Sequence, residues 1–147
     1  MSYRVRMGYE IQVTIDSGNP HEQAAWWAAT LGWQVEEQDE KFIREMVDAG
    51  HSSEDDTLLF HGRLVWKIGA AIVDPDRPSA PRVLFQWVPE SKTVKNRLHF
   101  DMRVGEDREA VARSLVEAGA SIAFRSQLGP STWITMTDPE GNEFCLS

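Results

Sequence analysis

Two polar stripes in the sequence contain the residue types needed for acid–base chemistry, metal binding and hydrogen bonding to ligand oxygens. In each stripe every second residue is polar and the intervening residues are apolar, which is the period of a half-buried strand. The stripes are Gln12, Thr14 and Asp16 in one segment and His99, Asp101 and Arg103 in the other. Because the apolar residues must pack on a core, we expect both stripes to face a cleft that binds a small molecule.

The charged members of these stripes also allow a structural interpretation. Charges in a half-buried sheet are normally paired, so Asp16 or Asp101 could form an ion pair with Arg103. Such a pair would not exclude a ligand site on the same face. The sequence leaves both interpretations open.

Cys145 is the only cysteine of the chain, so no disulfide can form within it. A nucleophilic cysteine needs an activating base or a depressed pKa. The neighbouring sequence supplies neither, which favours a small buried side chain. We expect His21 and His51 on the surface and His61 in a turn. No glycine-rich phosphate loop, Ser–His–Asp order or Cys-x-x-Cys pair is present.

The elements that must position these residues follow an order of strand, helix and strands that occurs twice. The first half is predicted to contain a strand at 10–16, a helix ending at Gly32, a strand at 33–37, a helix at 41–49, a hairpin around His61 whose sheet continues at 70–73, and a strand at 83–88. The second half is predicted to contain a strand at 98–104, a helix at 108–118, and strands at 121–125, 133–137 and 143–146. This order predicts an α+β fold.

A constant spacing indicates that the two halves are an internal repeat. Gln12 and His99 are separated by 99 − 12 = 87 residues, and the glycines that end the two helices have the same spacing. The closing strands match at 145 − 86 = 59, which aligns Gln86 with Cys145, so the first half contains 87 − 59 = 28 extra residues. We expect one domain over residues 1–147, with a first βαβββ unit at about 9–90, a helical insertion at about 39–56, and a second unit at about 96–147.

The extra residues are predicted to form a helix on the periphery of the first unit. Its apolar positions have helical spacing and define one face. They are Phe42, Ile43, Met46 and Val47. We expect this face to pack on the sheet and to cover one end of the cleft.

Composition and charge exclude several classes of function. Of the 147 residues, 41% are hydrophobic and 26% are charged, which is sufficient for a buried core. The net charge of −8 argues against a nucleic-acid partner and against an anionic membrane surface. No apolar stretch approaches the roughly 18 residues of a membrane span, and the first residues lack the apolar core of a signal peptide, so we expect a cytoplasmic protein. Six tryptophans are spread along the chain, and we expect most to line a core or an apolar cavity.

Several segments resemble the vicinal oxygen chelate superfamily, which includes glyoxalase I, the bleomycin-resistance proteins and the extradiol dioxygenases. The segments are GNP before the first helix with LGW at its end, PRVLFQWVPE, KNRLHFDMRV, and the terminal DPEGNEFCL. The terminal segment is similar to the DPxGN turn and final strand of the superfamily, and the two middle segments are similar to its glyoxalase-like branch. The resemblance implies two tandem βαβββ units whose curled mixed sheets surround a cleft that holds a divalent metal and a substrate.

The same resemblance places the superfamily's four metal ligands at Gln12, Gln86, His99 and Cys145. His99 matches the usual histidine, and some glyoxalases use a glutamine at the position of Gln12. Gln86 and Cys145 occupy the carboxylate positions, so the negative charge that a hard divalent cation prefers is missing. Glu143 faces the same way as Cys145 and offers a substitute carboxylate. We therefore expect no required cofactor, and a divalent metal on His99 and Gln12 is the alternative.

These observations favour a glyoxalase-like protein that binds a small aromatic or cationic metabolite or drug without metal. Aromatic faces stack on planar ligands, and an acidic protein attracts cations. The alternative is a metal-dependent, glyoxalase-type lyase or isomerase that acts on a small oxygenated metabolite, with His99 as ligand or base. A non-catalytic interaction or regulatory domain is a third interpretation. The resemblance and the large amount of apolar surface also favour a homodimer.

Overall fold

The chain divides into two compact units, the first ending at Trp87 and the second spanning Val88–Ser147. This division comes from a computed structural model that describes residues 8–147. Each unit contains one four-stranded mixed sheet and at least one helix, which confirms the predicted α+β class.

The first unit is built on a sheet with the strand order β1-β6-β5-β2. Its elements are β1 (Val13–Ser17), α1 (Pro20–Leu31), β2 (Gln34–Val35), α2 (Glu40–Asp48), β3 (Thr57–Phe60), β4 (Arg63–Trp66), β5 (Gly69–Val73) and β6 (Val83–Trp87), with a 3-10 turn at Glu54–Asp56. Strands β1 and β6 are parallel, and the other neighbours in this sheet are antiparallel. Helix α1 packs against β1, β5 and β6. In β6 the alternating pattern is observed, because Val83 and Phe85 are buried, whereas Val13 and Ile15 of β1 are only half-buried.

The second unit repeats this topology without an insertion. Its elements are β7 (Phe100–Met102), a 3-10 turn (Gly105–Asp107), α3 (Arg108–Glu117), β8 (Ser121–Leu128), β9 (Ser131–Thr137) and β10 (Glu143–Leu146). The strand order β7-β10-β9-β8 again places the first strand beside the last, in parallel, with the others antiparallel. Both units therefore have the same βαβββ connection pattern, as the internal repeat predicts.

The ends of the two main helices have the same hydrogen-bonding pattern. After α1, the Trp33 N–H donates to the Ala28 carbonyl at 2.8 Å, and after α3 the Ala120 N–H donates to the Leu115 carbonyl at 2.9 Å. The glycine that precedes each donor has a positive φ, which is 69° at Gly32 and 112° at Gly119. Glycine adopts this conformation without a steric penalty, which is why it ends both helices.

The sheet registers change one detail of the predicted repeat. Asp16 pairs with Gln86 in the first unit, whereas Asp101 pairs with Cys145 in the second. If Gln86 and Cys145 are equivalent, the residue that corresponds to His99 lies two positions later than Gln12, at Thr14. The helix spacing and the closing-strand spacing therefore cannot both mark equivalent sheet positions. Because the shift is two residues, each side chain stays on the same face.

The additional residues of the first unit form α2 and the hairpin β3–β4. Helix α2 packs on β4, with Ile43 fully buried, but Phe42 points outward and is 49% exposed, so the predicted apolar face is narrower than its four residues. The hairpin is confirmed, and His61 in its turn has a positive φ of 48°. However, β3 and β4 form a separate two-stranded sheet, and β5 joins the main sheet instead.

His21 corrects the expectation of a surface position. It is only 7% exposed, because its ring lies 5.3 Å from that of Phe60 and its Nε2 forms a 2.8 Å hydrogen bond with the Trp66 carbonyl. Gln38 holds the same strand end, accepting from the Trp66 N–H and donating to the Gly69 carbonyl, both at 2.8 Å. These contacts attach the hairpin to the main sheet of its unit.

Among residues 8–147, no helix has both the length and the apolar character needed to cross a bilayer.

Candidate functional site

The sheet of the second unit has one buried face and one open face. On β10, Phe144 and Leu146 are buried, whereas Glu143 and Cys145 alternate with them on the opposite face. Cys145 pairs with Thr135 of β9 and with Asp101 of β7. Because residues that pair across strands share a face, these three side chains lie in one row of the open face.

This row continues onto β8 and borders a cavity. Phe124 pairs with Thr135 after a register shift in β8, which brings an aromatic side chain to the end of the row. The cavity has a volume of about 530 Å³. Its walls include His99, Asp101, Phe124, Trp133, Thr135 and Cys145, together with Lys95, Ser126, Ser131, Thr132, Glu143 and Ser147. We call this cavity the second-unit cleft.

Three side chains with different chemistry converge in the second-unit cleft. His99, Asp101 and Cys145 each offer a ligand atom, and the three atoms lie within 4.8 Å of one another. His99 Nδ1 is 3.2 Å from Asp101 Oδ1, so Asp101 pairs with the imidazole rather than with Arg103. The Cys145 sulfur lies 3.4 Å from Thr135 Oγ1. The cluster joins an acid–base group, a carboxylate that orients it and a thiol.

Glu143 has a different role from the substitute metal ligand that the sequence suggested. Its carboxylate accepts a hydrogen bond from the Asn96 N–H at 3.0 Å and pairs with the Lys92 ammonium at 3.2 Å. Burial would raise the pKa of Glu143, but the Asn96 and Lys92 contacts outweigh it and lower the pKa. Glu143 therefore fixes the segment that leads into His99.

The turn between β9 and β10 supports the same segment. The Asp138 carboxylate accepts from the N–H groups of Glu140 and Asn142 at 2.9 and 3.0 Å, which shapes the DPEGN turn. The Asn142 side chain then accepts from the Asn96 amide at 2.8 Å. The turn that resembles the superfamily motif thus holds the segment before β7 in place.

In the polar stripe of the first unit, Gln12 and Thr14 form side-chain contacts within that unit. Gln12 Oε1 accepts from Arg82 at 2.8 Å, and its Nε2 donates to Thr14 at 3.3 Å. Arg82 also binds both carboxylate oxygens of Glu36, and these hydrogen bonds raise the pKa of Arg82. Asp16 and Gln86 pair across strands in the same unit.

Of the eight predicted site residues, His99, Asp101 and Cys145 come together. Gln12, Thr14, Asp16 and Gln86 lie in the first unit, and Arg103 is an exposed residue just after β7. Several cleft residues were missed from the sequence, namely Phe124, Ser126, Trp133 and Thr135. The segment WITMT signals two of them, because Trp133 and Thr135 alternate in sequence with the apolar Ile134 and Met136, although Thr135 is buried as well.

A second cavity of about 420 Å³ lies between the start of α3 and the strands β8 and β9. Three of its four charged side chains already have partners, since Arg125 binds the Glu109 carboxylate at 2.8 and 2.9 Å and Arg108 donates to Thr132. These contacts lower the pKa of Glu109. This cavity has fewer groups available for a ligand than the second-unit cleft.

The cluster in the second-unit cleft also fits one class of metal ion. One imidazole nitrogen, one carboxylate oxygen and one thiolate match the mixed donor set of an open, zinc-like site. A hard ion such as Mg²⁺ prefers several oxygen ligands and is not matched by this set. The fit comes from three residues of one unit, without Gln12.

Comparison with protein families identifies the domain. The family model described as a glyoxalase-like domain matches residues 12–147, nearly the whole chain. This chain belongs to the glyoxalase-like domain family. The match includes both βαβββ units and all three residues of the His99, Asp101 and Cys145 cluster. No curated protein sequence matches this glyoxalase-like chain.

Solved structures share the fold of this glyoxalase-like chain at low sequence identity. The fosfomycin resistance protein FosX of Mesorhizobium loti is 10% identical with a TM-score of 0.59, and the match covers 97% of this chain and 91% of that one. A glyoxalase family protein of Bacillus cereus is 15% identical with a TM-score of 0.59, covering 99% and 97%. A glyoxalase/bleomycin resistance protein/dioxygenase family enzyme of Burkholderia phytofirmans is 15% identical with a TM-score of 0.58, covering 92% and 94%. These similarities establish the vicinal oxygen chelate fold.

Proposed function

We propose that this glyoxalase-like protein binds a small molecule in the second-unit cleft. The proposal rests on one observation, which is that a cavity of about 530 Å³ combines two aromatic side chains with imidazole, carboxylate, thiol and hydroxyl groups. Small-molecule sites have volumes of roughly 300–1,000 Å³ and a few polar groups that orient the ligand. The second-unit cleft has both properties.

A planar aromatic ligand with a positive charge suits this cleft best. Phe124 and Trp133 offer ring faces for stacking, and the carboxylate of Asp101 is exposed beside them. The net charge of −8 raises the local concentration of cations around the protein. Stacking and charge attraction need no metal, so we propose that the protein sequesters its ligand without one.

A matched series of two-ring probes tests this function. The probes are 1-methylquinolinium, quinoline and naphthalene-2-sulfonate, which have similar shapes and charges of +1, 0 and −1 at neutral pH. The six tryptophans of the chain each give an indole N–H signal in NMR spectra, and Trp133→Phe identifies the signal of Trp133. We expect 1-methylquinolinium to shift that signal at the lowest concentration. Trp33→Phe, in the first unit, is the control and should bind as the parent protein does.

A second candidate function is a metal-dependent glyoxalase-type lyase or isomerase acting on a small oxygenated metabolite. The observation that favours it is the set of three donor atoms within 4.8 Å of one another. His99, Asp101 and Cys145 would hold the ion, and a bound metal would supply a Lewis acid that polarises a substrate oxygen. In a metal-free form of this reaction, His99 would act as the base.

Cobalt(II) separates the two candidates because a thiolate ligand gives cobalt a charge-transfer absorption band in the near ultraviolet. A metal site predicts this band at one equivalent of cobalt in chelator-treated protein, and its loss in Cys145→Ser. Absence of the band, together with an unchanged response to 1-methylquinolinium, would support metal-free binding.

We also propose a homodimer. Among the described residues of the second unit, Val94, Leu98 and Leu128 have 75%, 88% and 75% of their surface exposed. Large exposed apolar side chains often mark interfaces, and two-fold dimers are the commonest oligomers. Sedimentation at micromolar concentration should give twice the 16.7 kDa chain mass, and a single 16.7 kDa species would contradict the dimer.

A further inference from the structure

Cys145 is a single thiol placed inside the second-unit cleft. It is the only cysteine of the chain, and it is partly accessible from the cavity. The Thr135 hydroxyl, 3.4 Å from the sulfur, can donate a hydrogen bond to a thiolate. A side chain that only fills space in a core would not need an opening to a cavity. The position of Cys145 is therefore that of a group able to meet a ligand.

The neighbouring pair supplies the groups that activate a thiol. His99 Nδ1 lies 3.2 Å from Asp101 Oδ1, and a hydrogen bond from Nδ1–H leaves a lone pair on Nε2. The three functional groups lie within 4.8 Å of one another. A cysteine, a histidine and a carboxylate that orients the histidine form the arrangement of cysteine nucleophiles, in which the thiol and the base are often farther apart than hydrogen-bond distance when no substrate is bound.

We propose that Cys145 is a nucleophile that captures α,β-unsaturated carbonyl compounds carried on an aromatic frame, with His99 as its base and Asp101 as the residue that orients His99. This proposal rests on the proposed function, which is metal-free binding of a small molecule in the second-unit cleft, and it names a class of ligand for that function.

The reaction is an addition that balances without any co-reactant. His99 Nε2 accepts the thiol proton, and the Cys145 sulfur forms a bond to the β-carbon of the ligand. The electron pair of the carbon–carbon double bond shifts toward the carbonyl to give an enolate. The imidazolium then returns the proton to the α-carbon. The net change is the addition of S–H across the double bond, with no leaving group and no oxidation.

The walls of the cleft match this class of electrophile. Phe124 and Trp133 can stack on an aromatic ring next to the reacting carbons. Lys95 and Ser126 also line the cavity and can donate hydrogen bonds to a carbonyl oxygen as negative charge develops on it. An addition needs only one group that moves a proton in both directions, which His99 provides.

Intact-protein mass spectrometry measures the reaction directly, because only one thiol can respond. The probes are 4-phenyl-3-buten-2-one, an aromatic enone, and methyl vinyl ketone, which has the same reactive group without the ring. Glutathione at the same pH gives the intrinsic rate of each probe. We expect the ratio of aromatic to non-aromatic rates to be at least tenfold larger for the protein than for glutathione. Cys145→Ser should form no adduct.

Variants test the two supporting residues. His99→Ala should slow adduct formation by about 100-fold or more, and added imidazole should restore part of the rate. Imidazole rescue distinguishes a base from a residue that only supports the fold. Asp101→Asn should slow the reaction by a smaller factor, and His51→Ala, an exposed histidine of the first unit, should leave it unchanged.

The outcomes separate this proposal from the function on which it rests. A thiol that reacts no faster than glutathione, or a rate that is unaffected by His99→Ala, overturns the nucleophile. If either of these results is obtained while the wild-type protein still shows the Trp133 shift with 1-methylquinolinium, ligand binding stands and only the nucleophile fails. If the wild-type protein shows neither the shift nor an adduct, both proposals fail.

Discussion

The two sheets have the same strand order but very different open faces. In the second unit one row across the strands reads Asp101, Cys145, Thr135 and Phe124. The corresponding row of the first unit reads Asp16, Gln86 and Gly69, and ends after three strands. Topology is therefore common to both halves, whereas reactive side chains are concentrated in one.

The glycine in the first row explains part of this difference. A Cβ at position 69 would overlap the Phe85 carbonyl oxygen, so the backbones of β5 and β6 approach too closely there for any side chain. Thr135 occupies the matching place in the second unit and contacts the Cys145 sulfur. A polar cluster can form only where the strands leave room for side chains.

Core truncation should have the largest effect and should be alike in both units. Phe85 and Phe144 are fully buried at matching positions of the closing strands. We expect Phe85→Ala and Phe144→Ala each to cost about 3–5 kcal/mol of unfolding free energy, because each leaves a cavity. Urea denaturation measures this. Phe124→Ala, on the open face, is the control and should cost far less, and an equal loss there would contradict the assignment of the faces.

Gly69→Ala should be the next largest perturbation and should affect the first unit. Relieving the overlap with the Phe85 carbonyl requires the strands to separate, at a cost of roughly 1–3 kcal/mol. Amide exchange should accelerate in β5 and β6, while the signals of the second unit stay as they are. A variant as stable as the parent would show that the strands yield easily.

Acid should release the segment before His99. The contacts that lower the pKa of Glu143 favour its ionised form in the folded protein. They therefore stabilise the folded protein fully at pH values above the usual carboxyl pKa of 4.5. This stabilisation is lost as pH falls through the lowered pKa, below 4.5. We expect Asn96 amide exchange, corrected for intrinsic rates, to increase on acidification and to be already fast at neutral pH in Glu143→Gln. Glu90→Gln, an exposed neighbour, should behave like the parent.

The smallest effect is expected at Gln12. Its side chain is exposed, accepts a hydrogen bond from Arg82 and donates one to Thr14. Gln12→Ala should change stability by about 0.5 kcal/mol or less and should leave the response of Trp133 to 1-methylquinolinium intact. Weaker probe binding in this variant would mean that the ligand site is not confined to the second unit.

The repeat, the strand faces and the family were accessible from the sequence because each depends on local rules. Alternation sets the face of a strand, and glycine with positive φ ends a helix, so positions such as Gly32 are informative. The burial of His21 could not be predicted from the sequence. Helix α1 is rich in small residues on several sides, so its sequence does not specify which side faces the sheet. The contacts of His21 also depend on the hairpin, which lies far along the chain.

The candidate site could be predicted from the sequence only in part, for a similar reason. His99 and Asp101 stand out because they alternate with apolar residues in one strand. Their proximity to Cys145 follows from pairing β7 with β10, which no local pattern specifies and which the family resemblance supplied. Glu143 shows the limit most clearly. From the sequence, Glu143 and Asp101 look like equivalent carboxylates on one face, and only the contacts of Glu143 with Lys92 and Asn96, which lie on a separate loop, distinguish them.

The parallel pairing of the first and last strands has a kinetic consequence. It joins Val13 to Val83 across 83 − 13 = 70 residues and Phe100 to Phe144 across 144 − 100 = 44 residues. Closing the longer loop costs about 0.4 kcal/mol more in chain entropy, so topology alone lets the second unit fold somewhat faster. Asp101 and Cys145 become neighbours only in that closing step. We therefore expect the row that contains the thiol to be among the last features of its unit to form, and pulsed amide exchange in β7 and β10 during refolding would measure when these strands pair.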